Sequence, residues 1–201
     1  MIIFALSIKK QTKHLRIMGQ YFRPVIIGKK DSKKVVASLY AHEFNVGLKL
    51  MEHSYVGNNF VNTFATLIND KDGKYKGYPM AWAGDYSDEV VGDKNYYDIA
   101  LEQDTDENVK DLKANEYRYF INKTKKEFVD IEDCPSCKIS DYLAVHPLPI
   151  LTCLGNGRSH DYVPKEEDKE YIGSWAMDVV VSSNKCPNEK TYKRIKPNFQ
   201  L

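Results

Sequence analysis

The chain has 201 residues, of which 42% are hydrophobic, 12% aromatic and 28% charged, and its formal net charge is +1. This length and composition are typical of one globular domain and exclude an intrinsically disordered chain. Four cysteines are too few for a disulfide framework at this length, and the near-neutral total charge gives no general attraction to nucleic acid or membrane.

The beginning of the chain does not have the order of a secretory signal, because the apolar residues 1–8 precede a basic cluster. No later stretch has the apolar length of a membrane-spanning helix, so we expect a cytoplasmic protein. Met18 begins a second apolar segment, and the true start is either Met1 or Met18. The expected organisation is a basic N-terminal extension, one domain and a basic C-terminal tail, over residues 1–17, 18–183 and 184–201.

Charge is distributed unevenly along the chain. Residues 1–50 carry ten Lys/Arg and two Asp/Glu, whereas residues 69–116 carry six and thirteen. Such runs are usually solvated surface, and a basic arm for an anionic partner is the alternative. The basic arms, which include residues 192–194, could touch nucleic acid, but no nucleic-acid-binding motif accompanies them.

The first half of the chain predicts a hairpin and then the main helix. Residues 21–27 and 34–40 are rich in strand-forming residues and are joined by a polar turn. Residues 54–68 have apolar side chains at the spacing of one helical face, with Asn58 or Asn59 as the N-cap.

The middle of the chain combines clear and ambiguous segments. Residues 78–83 predict a strand, residues 95–102 fit either a strand or a short helix, and residues 104–113 fit an exposed loop or helix. Residues 117–131 form the clearest hairpin, because apolar residues alternate on both sides of a polar turn.

The last third predicts irregular structure and one further strand. Residues 133–141 read as a cysteine-containing loop, and residues 145–154 as an edge strand or extended segment, because two prolines remove ladder donors. A polar loop over 155–169 is followed by a strand over 171–183, in which Gly173 marks a bulge or a close approach. We expect the tail after Cys186 to be peripheral.

Together these elements predict a single-domain α+β fold, with a mainly antiparallel sheet and one principal helix packed on it. The reason is that successive strands are joined mostly as hairpins, while one long amphipathic helix needs a sheet face on which to bury its apolar side.

The segment around Gly155 is the first candidate for a ligand site. Glycines allow close approach of the backbone and can aim N–H groups at an anion, to which Arg158 would add a guanidinium. His146 precedes this segment and Asp161 follows it. The alternative is a tight turn in which Gly155 and Gly157 only supply positive φ angles.

Two further groups have a functional and a structural interpretation. Glu52 and His53 precede the main helix and could help to bind an anion there, or they could serve capping and packing. Asp85 follows a predicted core strand, where it could belong to a site or form an Asx turn.

Metal and nucleophile motifs are weak or missing. Cys134 and Cys137 have the spacing of a zinc knuckle, but a structural zinc site needs a second close pair, so no metal and no cofactor are predicted. No Gly-x-Ser-x-Gly motif is present, and no cysteine has a recognisable catalytic neighbourhood.

Several segments taken together resemble a group of small uncharacterised bacteriophage and bacterial proteins. The segments are residues 18–25 (MGQYFRPV), 49–54 (KLMEHS), 82–86 (WAGDY), 146–149 (HPLP) and 155–158 (GNGR). The resemblance covers about residues 18–182 and implies a phage accessory or host-interaction role, without an assigned activity. Members of the group tend to have a glycine run after the arginine. Ser159 and His160 stand there in this chain, which weakens the case for a phosphate cradle.

The leading hypothesis is a non-enzymatic domain that binds a small polar or anionic ligand, or a host macromolecule, in one cleft. The residues expected to line that cleft are Glu52, His53, Asp85, His146, Asn156, Gly157, Arg158 and Asp161. The alternative is a His/Asp-dependent hydrolase or transferase, with or without a metal. A third interpretation is a purely structural or interaction protein.

Overall fold

The computed structural model describes residues 20–134, 136–137, 140–155, 162 and 165–199. For residues 136–137 and 140–143 it describes the backbone only. Two four-stranded sheets, one two-stranded sheet and several short helices make up this part of the chain, which confirms the predicted α+β class. The predicted start at Met18 and the extension over residues 1–17 lie outside the described residues.

The first sheet has the strand order β2-β1-β3-β8. These strands are Phe22–Ile27 (β1), Val35–Ser38 (β2), Met80–Gly84 (β3) and Cys153–Leu154 (β8). β1 is antiparallel to both β2 and β3, which confirms the first predicted hairpin. β3 and β8 run parallel, with Trp82 opposite Cys153, so both strands end at the same edge of the sheet.

Helices cover both faces of the first sheet. The main helix, Asn59–Leu67 (α2), packs on the face that carries Trp82, and a second helix, Tyr96–Glu102 (α3), packs on the face that carries Ala81 and Ala83. All six residues of β1 are therefore buried. Asn58 caps α2 through a bond from the Phe60 N–H to its side-chain oxygen, which is why the helix begins later than residue 54.

The segment that fitted either a strand or a helix is helical for a local reason. The Asn95 side chain accepts a bond from the Asp98 N–H, and the Asp98 carboxylate accepts one from the Asn95 N–H. This reciprocal pair is a capping box, which satisfies backbone donors at the start of α3. Residues 104–113 contain no helix, and the part around Asp106 lies beside Ser38 of β2.

The second sheet has the order β10-β5-β4-β9. Its strands are Tyr119–Asn122 (β4), Glu127–Asp130 (β5), Val180–Ser183 (β9) and Lys193–Arg194 (β10). The hairpin predicted over residues 117–131 is confirmed as β4 and β5. The expectation of a peripheral C-terminal tail is wrong, because β10 pairs with β5 and both Ile195 and Phe199 are buried in the main core.

The remaining short elements lie in the connections between these strands. They are the helix Leu50–His53 (α1), the paired strands Ser136–Cys137 (β6) and Ser140–Ala144 (β7), the helix Pro147–Thr152 (α4), and the 3-10 turns Ala41–Phe44, Ile131–Asp133 and Glu166–Tyr171. The short hairpin of β6 and β7 occupies part of the segment predicted as an irregular loop.

The prediction of an extended segment over residues 145–154 is wrong for most of its length. Pro147 and Pro149 both fall in the first turn of α4, where backbone N–H groups have no partner within the helix. The chain becomes extended only at β8. The same two prolines that argue against a central strand therefore permit a helix start, and the sequence pattern alone did not separate the two cases.

The strand predicted over residues 171–183 begins only at Val180. Before it, a 3-10 turn ends at Tyr171, and Met177 adopts a positive φ of 70°. Gly173 has a φ of 66°, and a Cβ at this position would lie 2.4 Å from the carbonyl oxygen of Cys153. The predicted close approach at Gly173 is therefore present.

Candidate functional site

His53 is a buried structural residue in the middle of the main core. Its Nδ1 lies 3.0 Å from the Gly47 carbonyl oxygen, and its Nε2 lies 2.8 Å from the indole Nε1 of Trp82. A carbonyl can only accept and an indole N–H can only donate, so the ring is neutral, with its proton on Nδ1. Burial lowers the pKa of His53 to about 4, against smaller opposing effects of Gly47 and Glu52.

Glu52 is exposed and serves the N-terminus of α1. Its Oε2 accepts a bond of 2.9 Å from the Lys49 N–H. This is the capping role that the sequence left open as the structural interpretation.

Asp85 follows β3, on the face of the first sheet opposite to His53. Side chains alternate along a strand, so Asp85 shares a face with Ala83 and α3, whereas Trp82 and its partner His53 lie on the face of α2. The Asp85 carboxylate accepts a bond of 3.1 Å from the Tyr21 N–H, and its own N–H donates to the Tyr21 carbonyl. Asp85 and His53 are therefore not brought together.

The parallel pairing of β3 and β8 brings the segment that follows β3 close to Gly155. Gly155 has a φ of 89°, and a Cβ there would lie 2.9 Å from the Ser87 backbone nitrogen. This close packing suits the predicted glycine turn. Asn156, Gly157, Arg158 and Asp161 lie outside the described residues, so their role in a ligand site stays a prediction.

His146 is 2% exposed and caps the N-terminus of α4. Its Nδ1 accepts a bond of 3.2 Å from the Leu148 N–H, and its ring meets the Phe120 ring edge-on at 4.8 Å. Because Nδ1 accepts, the proton of the neutral ring must be on Nε2. Burial lowers the pKa of His146 to about 3, so the ring is neutral at pH 7.

A cavity of about 260 Å³, lined mostly by polar residues, lies beside His146, where β4 begins and β5 and β9 end. Its lining consists of Val56, Gly57, Asn62, Glu116, Tyr117, Arg118, Ile131, Glu132, His146 and Asn184. We refer to it as the His146 cavity. Of the sequence-predicted residues that the structure describes, His146 alone lines it.

Asn62 is the second buried polar side chain of the His146 cavity. It lies on α2 and is 9% exposed, and no hydrogen bond joins its amide group to the described residues. An amide carries two donors and an acceptor, which here are open to water or to a bound molecule in the cavity. Asn62 and His146 therefore offer an amide group and a ring N–H within one small cavity.

A second, larger space of about 740 Å³ continues from the first and shares Glu116, Tyr117 and Asn184 with it. It is lined further by residues 69–72, 115 and 183, together with Lys185. We refer to the two spaces together as the polar cleft. Asn184 holds the shared wall in place, since its side chain accepts from the Arg118 N–H and donates to the Glu116 carbonyl.

The positive charge of the cleft is already neutralised by neighbouring carboxylates. Arg118 donates from Nε and Nη2 to the two carboxylate oxygens of Asp130, each at 3.0 Å, and it also contacts Glu132. Burial alone would raise the pKa of Asp130, but the hydrogen bond from Arg118 and a backbone bond from Glu132 lower it. Lys71 and Lys185 are outnumbered among the lining residues by Asp70, Asp72 and Glu116. The cleft is therefore a poor match for an anion.

The described histidines and cysteines show little sign of catalytic chemistry. Neither buried histidine is hydrogen bonded to a carboxylate. Burial raises the pKa of the Cys134 thiol to about 12, so it stays protonated, and the side chain of Cys137 lies outside the description. Across the ranges that the structure describes, no group of three or more His, Cys, Asp or Glu side chains is arranged to hold a metal.

Sequence reasoning missed most residues of the polar cleft. Asn62 was not identified because the helix was predicted from the spacing of its apolar residues. In such a pattern an asparagine is taken for an exposed position. Tyr117, Arg118 and Asn184 lie just outside the strand ends. A polar residue inside an apolar helical stretch is the one signal that could have pointed to Asn62.

None of the helices in the described part of the chain is long and apolar enough to cross a membrane. Comparison with known proteins found no matching family model, no matching curated protein and no matching solved structure, so the case for function depends on the geometry of the site itself.

Proposed function

We propose that this chain is a non-enzymatic binding domain that holds a small, polar and uncharged molecule in the His146 cavity. The observation that carries the proposal is that two polar side chains, Asn62 and His146, are almost completely buried and both line this cavity. Buried polar groups are normally satisfied by protein or water, and a ligand can replace that water.

The chemistry of the lining limits the ligand class. A neutral His146 donates one hydrogen bond from Nε2, and the Asn62 amide both donates and accepts. Hydroxyl and amide groups complement such a set, whereas an anion would meet the carboxylates of Glu116 and Glu132. The volume of about 260 Å³ suits a molecule the size of a monosaccharide, a polyol or a small amide.

The resemblance to phage and bacterial proteins favours an accessory role for such a binding domain. A receptor for a neutral metabolite or for part of a glycan needs no catalytic groups, and a neutral His146 suits it as a hydrogen-bond donor.

The test is ligand-observed NMR with a panel of monosaccharides, polyols, small amides and nucleosides, and with inorganic phosphate as the anion. We expect at least one neutral compound to bind. Replacing Asn62 by Leu removes the amide at similar size, and it should weaken binding by about tenfold, the loss expected for one buried hydrogen bond. Asn59→Leu is the matched control, because Asn59 is exposed on the same helix and lies outside the cavity lining.

Two results would contradict the proposal. One is binding of phosphate without binding of any neutral compound. The other is a neutral ligand whose affinity is the same for the wild-type protein and for Asn62→Leu. Thermal unfolding of both variants shows whether either change has altered the fold itself.

A further inference from the structure

Two basic segments that are far apart in the chain meet at the end of the second sheet opposite to the His146 cavity. One is the turn between β4 and β5, with Lys123, Lys125 and Lys126. The other leads into β10, with Lys190 and Lys193. They meet because β10 pairs with β5, and the Lys193 N–H donates a bond of 2.8 Å to the Lys126 carbonyl.

Tyr192 organises this surface. Its ring packs against Tyr119, Ile121, Phe128 and Val181 on the outer face of the second sheet. The ammonium groups of Lys123 and Lys126 lie 5.5 and 5.3 Å from the centre of the same ring. A cation near an aromatic face is attracted by the ring quadrupole, so Tyr192 holds two like charges close together.

Ion pairs compensate only part of this charge. Lys123 lies 3.4 Å from Asp70, which is the one ion pair found between these five lysines and the described residues. Three further carboxylates lie on or beside these segments without an ion pair to the five lysines in the described residues. Glu127, opposite Lys193, accepts from the Trp175 indole at 2.9 Å, Asp178 accepts from Asn122 at 2.8 Å, and Glu189 lies 3.9 Å from Arg194. We refer to Lys123, Lys125, Lys126, Lys190, Lys193 and Tyr192 as the lysine patch.

We infer that the lysine patch is a docking surface for the phosphate backbone of nucleic acid. Lysines act as point charges that neutralise phosphates and release counterions, and they need no fixed geometry to do so. The patch contains no arginine and no amide side chain that would read base edges. The interaction is therefore independent of sequence, sensitive to salt and separate from the small-molecule site.

The experiment measures fluorescence anisotropy of a labelled DNA duplex of about 20 base pairs at several salt concentrations between roughly 50 and 200 mM. The test variant is Lys125→Gln/Lys126→Gln/Lys193→Gln. The matched control is Lys30→Gln/Lys33→Gln/Lys34→Gln, which removes the same charge from exposed positions near the turn between β1 and β2. Lys190→Gln/Lys193→Gln is a milder second variant at two exposed positions, which is used if the triple variant fails to fold.

We expect the wild-type protein to bind the duplex, and the test variant to lose at least about tenfold in affinity at the lowest salt. The slope of log affinity against log salt should become shallower by about 2 to 3, because three phosphate contacts are removed. The control should keep both values. The inference is overturned if the wild-type protein does not bind the duplex, if control and test variants weaken binding equally, or if the protein binds vesicles of anionic phospholipid but not DNA.

Discussion

The indole N–H of Trp82 donates a hydrogen bond of 2.8 Å to Nε2 of His53, and both side chains are completely buried. Trp82 lies on β3 and His53 at the end of α1, so this bond joins the first sheet to the segment before the main helix. It keeps His53 neutral, and protonation of Nε2 would remove the acceptor that Trp82 needs.

The first prediction concerns pH. An unfolded histidine has a pKa of about 6.5, whereas burial lowers the pKa of His53 to about 4 and that of His146 to about 3. Between these values the unfolded chain binds more protons, so the free energy of unfolding is highest above pH 6.5 and falls as the pH decreases toward 4. Urea unfolding at pH values from 8 to 4.5 measures this loss.

Over this range, down to pH 4.5, the loss expected is on the order of 3 kcal/mol for each histidine, because both folded pKa values lie below the range. His53→Gln should have a smaller pH dependence than the wild-type protein, because one of the two titrating groups is gone. An equal pH dependence in the wild-type protein and in this variant would mean that His53 does not titrate on unfolding.

The second prediction compares the two buried tryptophans. Trp82→Phe leaves Nε2 of His53 without a donor in the core, whereas Trp175→Phe releases Glu127, which is only partly buried and can bind water. We expect Trp82→Phe to destabilise the fold by about 1 to 3 kcal/mol more than Trp175→Phe. Urea unfolding of both variants measures the difference, and equal losses would show that the His53 bond adds nothing beyond packing.

The third prediction concerns Arg23, which is 1% exposed and pairs with both carboxylate oxygens of Asp106 at 2.9 Å. The Tyr40 and Tyr97 rings lie 5.2 and 5.5 Å from its guanidinium, and its Nε and Nη1 have no hydrogen-bond partner among the described residues. Asp106→Asn would leave a buried cation without its counterion, and we expect a loss of about 3 to 5 kcal/mol.

Arg23→Met is the companion variant of this test. It removes the cation as well and fills a similar space, so it should cost less than Asp106→Asn. Urea unfolding measures both. If Arg23→Met proves the more destabilising, the ion pair itself contributes more than the burial of the charge costs.

The fourth prediction uses two glycines with similar backbone angles. Gly173 and Gly92 have φ of 66° and 62°, but a Cβ at Gly173 would meet the Cys153 carbonyl oxygen at 2.4 Å. A Cβ at Gly92 would have no atom of the described residues within 4 Å, apart from its chain neighbours. Gly92→Ala should cost about 1 kcal/mol, the penalty for a left-handed angle alone. Gly173→Ala should cost clearly more, because β8 must move. Thermal unfolding of both variants compares them, and equal melting temperatures would contradict the close approach.

Elements held together by neighbouring residues could be predicted from the sequence. The hairpin of β4 and β5 follows from alternation around a polar turn, and α2 follows from the spacing of Phe60, Phe64 and Leu67. Ambiguity remained where local signals conflict, as at Pro147 and Pro149, which fit both a helix start and an edge strand. The capping role of Glu52 was one of two readings, and only the bond to Lys49 separates them.

The sequence by itself determined the α+β class, the first hairpin, the main helix and the hairpin of β4 and β5. The reason is that hydrophobic periodicity and turn residues specify local structure within a few positions. The tertiary structure alone decided that the C-terminal segment enters the core, that His53 and Asp85 lie on opposite sheet faces, and that Asn62 and His146 share a cavity. These relationships join residues far apart in the chain. They arise from strand pairing and burial, for which a single sequence carries no local signal.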